Sequence, residues 1–191
     1  MTDRKIIWLI NQYASTPETG MGGRNYYLGK ELAKRGYKVY LVAAGFSHLL
    51  REPPTLTKDF LIEEINEGFH FVWLKMPHYN GANDKKRIFN WFKFARKMLN
   101  LPYILAEKPD VILFGSPSLI PYVSPLRLAR KYKVRLIWDI RDLWPLTLIE
   151  LAGKSKYHPL ILLHQWVENL ACRKSDYIVS NWPFAIPHLE K

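Results

Sequence analysis

Residues 5–44 read KIIWLINQYASTPETGMGGRNYYLGKELAKRGYKVYLVAA. The run KIIWLIN (5–11) is short and apolar, the pattern of a buried strand. A polar loop of about a dozen residues follows, carrying Gly20-Met21-Gly22-Gly23. In RNYYLGKELAKRG (24–36), Tyr27, Leu28, Leu32 and Ala33 fall at helical spacing, and Gly36 stops the helix. YKVYLVAA (37–44) is a second strand. Strand, helix and strand in this order form a βαβ unit.

The alternation continues outward from that unit. Pro53-Pro54 exclude a helix from 45–60. Residues 62–77 read as two short strands around Asn66-Glu67-Gly68. The spacing predicts helices over 85–101, 124–133 and 158–175, with strands over 109–114, 134–140 and 176–181. The expected fold is α/β, a doubly wound, mostly parallel, Rossmann-like sheet. Ligands of such sheets bind beyond the carboxyl ends of the strands. The loops after Asn11, Ala44, Phe114, Ile140 and Ser180 therefore share one face, and GMGG and RDLWP are expected to be neighbours.

Composition narrows the class. The chain has 191 residues, 48% of them hydrophobic, enough for one folded domain with a real core. A single cysteine, Cys172, excludes an intrachain disulfide and a cysteine-rich zinc site. The apolar runs are far shorter than the roughly 20 residues that span a bilayer. The N-terminal residues MTDRK lead straight into IIWLIN without the h-region and cleavage site of a signal peptide. The six histidines are scattered without metal-ligand spacing. Twenty-eight Lys and Arg against 17 Asp and Glu give a formal charge of +11. That balance attracts nucleic acid, anionic headgroups or phosphorylated substrates. No helix-turn-helix or RNA-recognition motif is present, so no specific nucleic-acid partner is expected.

Two loops carry candidate chemistry. Gly22 and Gly23 open the first helix, where backbone amides and the positive dipole end attract anions; alternatively they form only a flexible turn. The loop lacks the tight G-x-G-x-x-G turn and the following acidic residue of a dinucleotide site. Residues 137–145, IWDIRDLWP, set Asp139, Arg141 and Asp142 at the end of an apolar strand. Arg141 can hold a phosphate or carboxylate bidentately, and Asp142 can bond a sugar hydroxyl or accept a proton. Alternatively Asp142 caps a helix beginning near Pro145 and Arg141 pairs with Asp139.

Taken in order, Gly22-Gly23-Arg24 after a strand, the helix ending ELAKRG, the loop DIRDLWP (139–145) and SDYIVSN (175–181) resemble the start of a family 4 glycosyltransferase of GT-B fold. The DIRDLWP loop is similar to that of a bacterial branch building O-antigen, capsule and other cell-surface polysaccharides. The resemblance covers the whole chain. It implies that residues 1–191 form one Rossmann-like, acceptor-side domain, with the C-terminal donor-binding domain, and its E-x7-E carboxylates, absent from the chain. It implies transfer of a sugar from a nucleotide donor to a hydroxyl, with retention and without cofactor or metal, by a parent of which this half alone is inactive. Arg141 and Asp142 would be catalytic, standing near the place of a histidine that many relatives have. Gly22, Gly23, Arg24 and Asp139 would bind substrate. A split, non-catalytic subunit that needs a partner to supply the donor domain is the alternative.

The helix KKRIFNWFKFARKMLNL (85–101) adds a partner. Ile88, Trp91, Phe92, Ala95, Met98 and Leu99 are expected on its apolar face. Lys85, Lys86, Lys93, Arg96 and Lys97 form a basic face on which Phe89 also falls. Cations with an interfacial aromatic suit an anionic membrane surface, and enzymes of the resembling branch often use lipid-linked acceptors. A core helix with a solvated basic back is the other reading. The expected location is the cytoplasm, at the inner face of the cytoplasmic membrane.

Overall fold

The computed structural model describes residues 4–82, 84–115, 117–151, 153–183 and 185–189. Seven strands form one sheet: β1 (Ile6–Ile10), β2 (Lys38–Ala44), β3 (Phe60–Asn66), β4 (Phe69–Leu74), β5 (Val111–Gly115), β6 (Arg135–Ile140) and β7 (Tyr177–Ser180), in the order β3-β4-β2-β1-β5-β6-β7. Only the β3–β4 pair is antiparallel. It is the strand pair expected around residues 66–68, and Gly68 takes the positive φ its turn needs. The helices are α1 (Gly23–Lys34), α2 (Lys86–Met98), α3 (Leu101–Ile104), α4 (Val123–Tyr132), α5 (Leu146–Glu150), α6 (Pro159–Lys174) and α7 (Ala185–Leu189), with a 3-10 turn at Ile120–Tyr122. The doubly wound, mostly parallel sheet expected from the alternation is the fold observed.

Alternation along β1 feeds two cores. Trp8 and Ile10 join the side packed by α2, α4 and α6, with Trp91, Phe94, Met98, Leu128 and Val167. Ile7 and Leu9 join the side packed by α1, with Val39, Leu41, Phe69 and Phe71. Gly29 lets α1 lie close: a Cβ there would come within 2.5 Å of the Phe69 ring. This second layer is narrow. α1 is the crossover from β1 to β2, while α4 and α6 cross over on the opposite face. In register with Leu9 across the sheet stand Phe71 and Leu41 on one side, both fully buried, and Leu113, Ile137 and Tyr177 on the other. Leu113 and Ile137 are partly exposed, and Tyr177 is 58% exposed.

Two helices depart from their expected faces: on α1 Tyr27 is 53% exposed and Tyr26 is buried instead, and α2 is rotated. On α2 the buried side chains are Asn90, Trp91, Phe94, Ala95 and Met98. Phe92, assigned to the apolar stripe, is 48% exposed. It stands about 100° round the helix from Trp91, outside an arc centred on Trp91, Phe94 and Met98. Asn90 helps set this rotation by donating from Nδ2 to the Pro77 carbonyl at 2.8 Å. The segment expected as one helix to residue 101 is also divided, α2 closing at Met98 and α3 restarting at Leu101.

Candidate active site

β1 occupies the point where strand order reverses, with β2 on one side and β5 on the other. Loops leaving β1, β5 and β6 therefore diverge around a crevice at the carboxyl ends, the place where doubly wound sheets bind ligands. A cavity of about 300 Å³ lies there. Its lining includes Asn11, Tyr13 and Ser15 after β1, Gly22 to Asn25 at the start of α1, Pro117 after β5, and Arg141 and Asp142 after β6. The two loops singled out in the sequence thus meet across one cavity.

The glycine loop is built, not slack. Gly22 and Gly23 have φ of 68° and 80°, a region that costs a side-chain-bearing residue energy. Ser15 Oγ accepts from the amides of Met21 and Gly22, each at 3.1 Å. Gly23 donates to the Met21 carbonyl at 2.8 Å. The amides expected to meet an anion at Gly22 and Gly23 are therefore already engaged. The amides of Arg24 and Asn25, one step into α1, take no acceptor among the described residues. They carry the helix-end field toward the cavity.

Behind this turn lies the pair that fixes Arg24. Asp139 is 1% exposed and does not line the cavity; its Oδ1 is 3.2 Å from Arg24 Nη1. The contact lacks hydrogen-bond geometry, so Coulomb attraction carries it. Burial pushes the Asp139 carboxyl above the usual aspartate range, opposed first by Arg24 and then by Arg141. The salt-bridge partner of Asp139 is thus Arg24, whereas Arg141 acts on it through its charge. Gly115, the β5 partner of Asp139, leaves room for two asparagines beside the pair: a Cβ there would lie 3.0 Å from Asn11 Nδ2 and 3.1 Å from Asn25 Nδ2.

Arg141 and Asp142 are half-buried at the cavity wall. Burial raises the Asp142 pKa, with Arg141 opposing, so the carboxylate is a stronger base than a solvated one. The cap read for Asp142 does not form: α5 begins after Pro145 with no side-chain cap, and Thr147 donates to the Leu143 carbonyl.

Asn11, Tyr13 and Asn25 escaped the sequence reading. Both polar atoms of the Asn25 side chain are buried without a hydrogen-bond partner. The signal for it was an asparagine where a dinucleotide loop has its third glycine. On the far side of α2, Lys85, Lys86, Phe89, Lys93 and Arg96 are all exposed, Phe89 to 72%. Lys97 instead turns to Asp59, 2.9 Å away. No helix among the described residues is long and apolar enough to cross a membrane, and no cluster of three or more His, Cys, Asp or Glu there could hold a metal.

A mostly parallel, Rossmann-like sheet with its cavity at the strand ends, beside a glycine-opened helix, is the architecture of a ligand-binding doubly wound domain. The chain belongs to the glycosyl transferase 4-like domain family, which matches residues 19–186. Among solved structures it is similar to sucrose-phosphate synthase from Thermosynechococcus elongatus, with 15% identity and a TM-score of 0.68 over 98% of this chain and 45% of that one. A second chain of the same synthase gives 13% identity and a TM-score of 0.63, covering 98% and 82%. The catalytic domain of starch synthase IV from Arabidopsis thaliana, bound to ADP and acarbose, gives 14% identity and a TM-score of 0.50, covering 74% and 34%. The chain thus spans less than half the length of the first synthase chain and of the starch synthase domain. No match was found among curated protein sequences.

Proposed function

We propose that this chain is the acceptor-side half of a glycosyltransferase that moves a sugar from a nucleotide donor to a hydroxyl in building a cell-surface polysaccharide such as O-antigen, capsule or exopolysaccharide. The observation that carries the reading is the convergence of the α1 N-terminus, Arg141 and Asp142 in one cavity. Arg141 and the Arg24 and Asn25 amides bind the donor diphosphate, with charge-assisted bonds to its oxygens. The acceptor oxygen bonds the anomeric carbon as the bond from that carbon to the diphosphate breaks. Arg141 stabilises the charge on the leaving group, and Asp142 receives the hydroxyl proton. Asp139 acts indirectly, by holding Arg24. A second, donor-binding domain completes the cleft. The bare sheet face over β5, β6 and β7 supports a chain that works against another segment.

The test is amide-resolved NMR of the chain titrated with UDP, GDP and ADP at millimolar concentration. Shifts should concentrate on Gly22 to Asn25 and on Arg141 and Asp142. Arg141→Ala should weaken the response about tenfold, the loss of one charge-assisted contact. Absence of shifts with all three nucleotides, or shifts confined to other residues, refutes the reading.

The exposed arc of α2 faces an anionic membrane that carries a lipid-linked acceptor. Its cations meet headgroups while Phe89, joined by the exposed Phe92, enters the interface. Sedimentation with anionic vesicles should fall severalfold in the Phe89→Ser/Phe92→Ser variant; equal sedimentation of both proteins with anionic and neutral vesicles removes this part.

A further inference from the structure

Next to the ionic cavity, over β2 and β4, the same rim of the sheet is aromatic. Tyr13 follows β1, Phe46 and His48 follow β2, and His78 and Tyr79 follow β4. Phe46 and His78 stack with centroids 4.0 Å apart at 29°, and Tyr79 meets Phe46 edge-on at 5.2 Å. Tyr13 and His48 meet edge to face at 6.1 Å. Tyr13 is shared with the cavity wall, so the two zones are continuous. His78 is exposed, and Tyr13, Phe46 and His48 are half-buried.

The hydrogen bonds fix what this shelf offers. Tyr79 Oη accepts from the His48 backbone amide at 3.3 Å and lies 2.9 Å from His48 Nδ1. Burial pushes the Tyr79 phenol up to about 12, so it keeps its proton, and Nδ1 is within reach to accept it. The imidazole is held neutral, by burial first and then by the charge of Arg87. In the tautomer in which Nδ1 accepts from Tyr79, the imidazole proton is on Nε2. Tyr13 Oη accepts from Trp91 Nε1 at 2.7 Å, which leaves the Tyr13 hydroxyl proton to donate. The shelf therefore combines ring faces with two neutral donors.

We propose that this shelf is a pyranose subsite: the acceptor's sugar ring packs its C–H face on His78, the exposed ring of the stack that Phe46 backs, while His48 Nε2–H and Tyr13 O–H donate to its oxygens. Ring faces bury the apolar side of a sugar, and fixed neutral donors orient its hydroxyls without the charge a phosphate would call for. The inference rests on the glycosyltransferase reading but names different residues, so the two fail separately.

The experiment is saturation-transfer NMR on the whole chain with methyl glycosides of hexoses, N-acetylhexosamines and 6-deoxyhexoses. At least one glycoside should give a signal that falls fivefold or more in His48→Ala and in the exposed-site variant His78→Ala, and survives in Arg141→Ala. Thermal melts check that each variant is folded. A glycoside signal unchanged in both histidine variants overturns the shelf. So does silence with every glycoside; nucleotide shifts at Arg141 in the same sample would then leave the wider reading standing.

Discussion

On the side of the sheet that carries α1, two halves of one surface meet different fates. Over β4, β2 and β1, Phe69, Phe71, Val39, Leu41 and Leu9 are fully buried. Over β5, β6 and β7, the row through Leu113, Ile137 and Tyr177 opens progressively to solvent, while in the next row Asp139 stays buried and Val179 beside it is 42% exposed. Leu113, Ile137 and Val179 are as apolar as the covered residues, although Arg135 and Asp139 share their face; what also differs is the helix cover among the described residues. One helix of 12 residues covers about three strands, and among the described residues no further helix packs on this face. Apolar character in a strand records that a surface wants cover, whereas topology decides whether this chain supplies it.

The sharpest test lies in the covered half. Phe69→Ala removes a ring that packs against Tyr26 at 5.5 Å and fills the place Gly29 leaves. The cost should be about 3–5 kcal/mol of unfolding free energy, a large share of a domain's total. Urea denaturation followed by tryptophan fluorescence measures it. A loss below about 1 kcal/mol would mean that α1 is not the lid described and would break the contrast.

The boundary between the halves is Arg24, on α1, paired with Asp139 on β6. Arg24→Ala strands a buried carboxylate and should cost about 2 kcal/mol, below the full cost of breaking a buried pair because the guanidinium is partly exposed. Asp139→Asn should cost less, since the freed Arg24 can be hydrated. The pH dependence has a definite sign. The folded-state pKa of Asp139 is raised, so its contribution to stability is present in acid and is lost as pH rises through that pKa. Wild type should therefore lose stability relative to Asp139→Asn as pH rises above the usual aspartate range. Asp176 has a lowered pKa, through the Leu136 amide and Arg135, and its contribution runs the other way, lost as pH falls. Parallel pH profiles for Asp139→Asn and Asp176→Asn, each taken relative to wild type, would contradict the burial of Asp139.

Much of this was legible in the residues. The β1–α1–β2 unit, the strand pair around Gly68 and the meeting of GMGG with RDLWP follow from periodicity and from the strand-end rule. The partner of Asp139 did not, because Arg141, two residues away, competes on paper with Arg24, more than a hundred residues away. The rotation of α2 was missed for a similar reason. Ile88, Trp91, Ala95 and Met98 define a stripe, but Phe92 and Phe94 flank it almost symmetrically, and the choice is made by Asn90 and the Pro77 carbonyl from another segment. The aromatic shelf stayed hidden because its residues come from three loops with no spacing to link them.

The smallest effect tests the bare half. Val179 follows Ile178 in an edge strand whose outer side has no partner strand among the described residues. Were Val179 in a core, Val→Ser would remove buried methyl groups and bury a hydroxyl, at several kcal/mol. In the face seen here the side chain already meets water, so Val179→Ser should change unfolding free energy by no more than about 0.5 kcal/mol. The same denaturation series measures it beside Phe69→Ala. A cost of about 2 kcal/mol or more would show that the chain covers this face by itself in solution, through self-association, which sedimentation of the wild type would reveal as a dimer. A near-zero cost with a monomeric wild type leaves the face as surface presented to another segment.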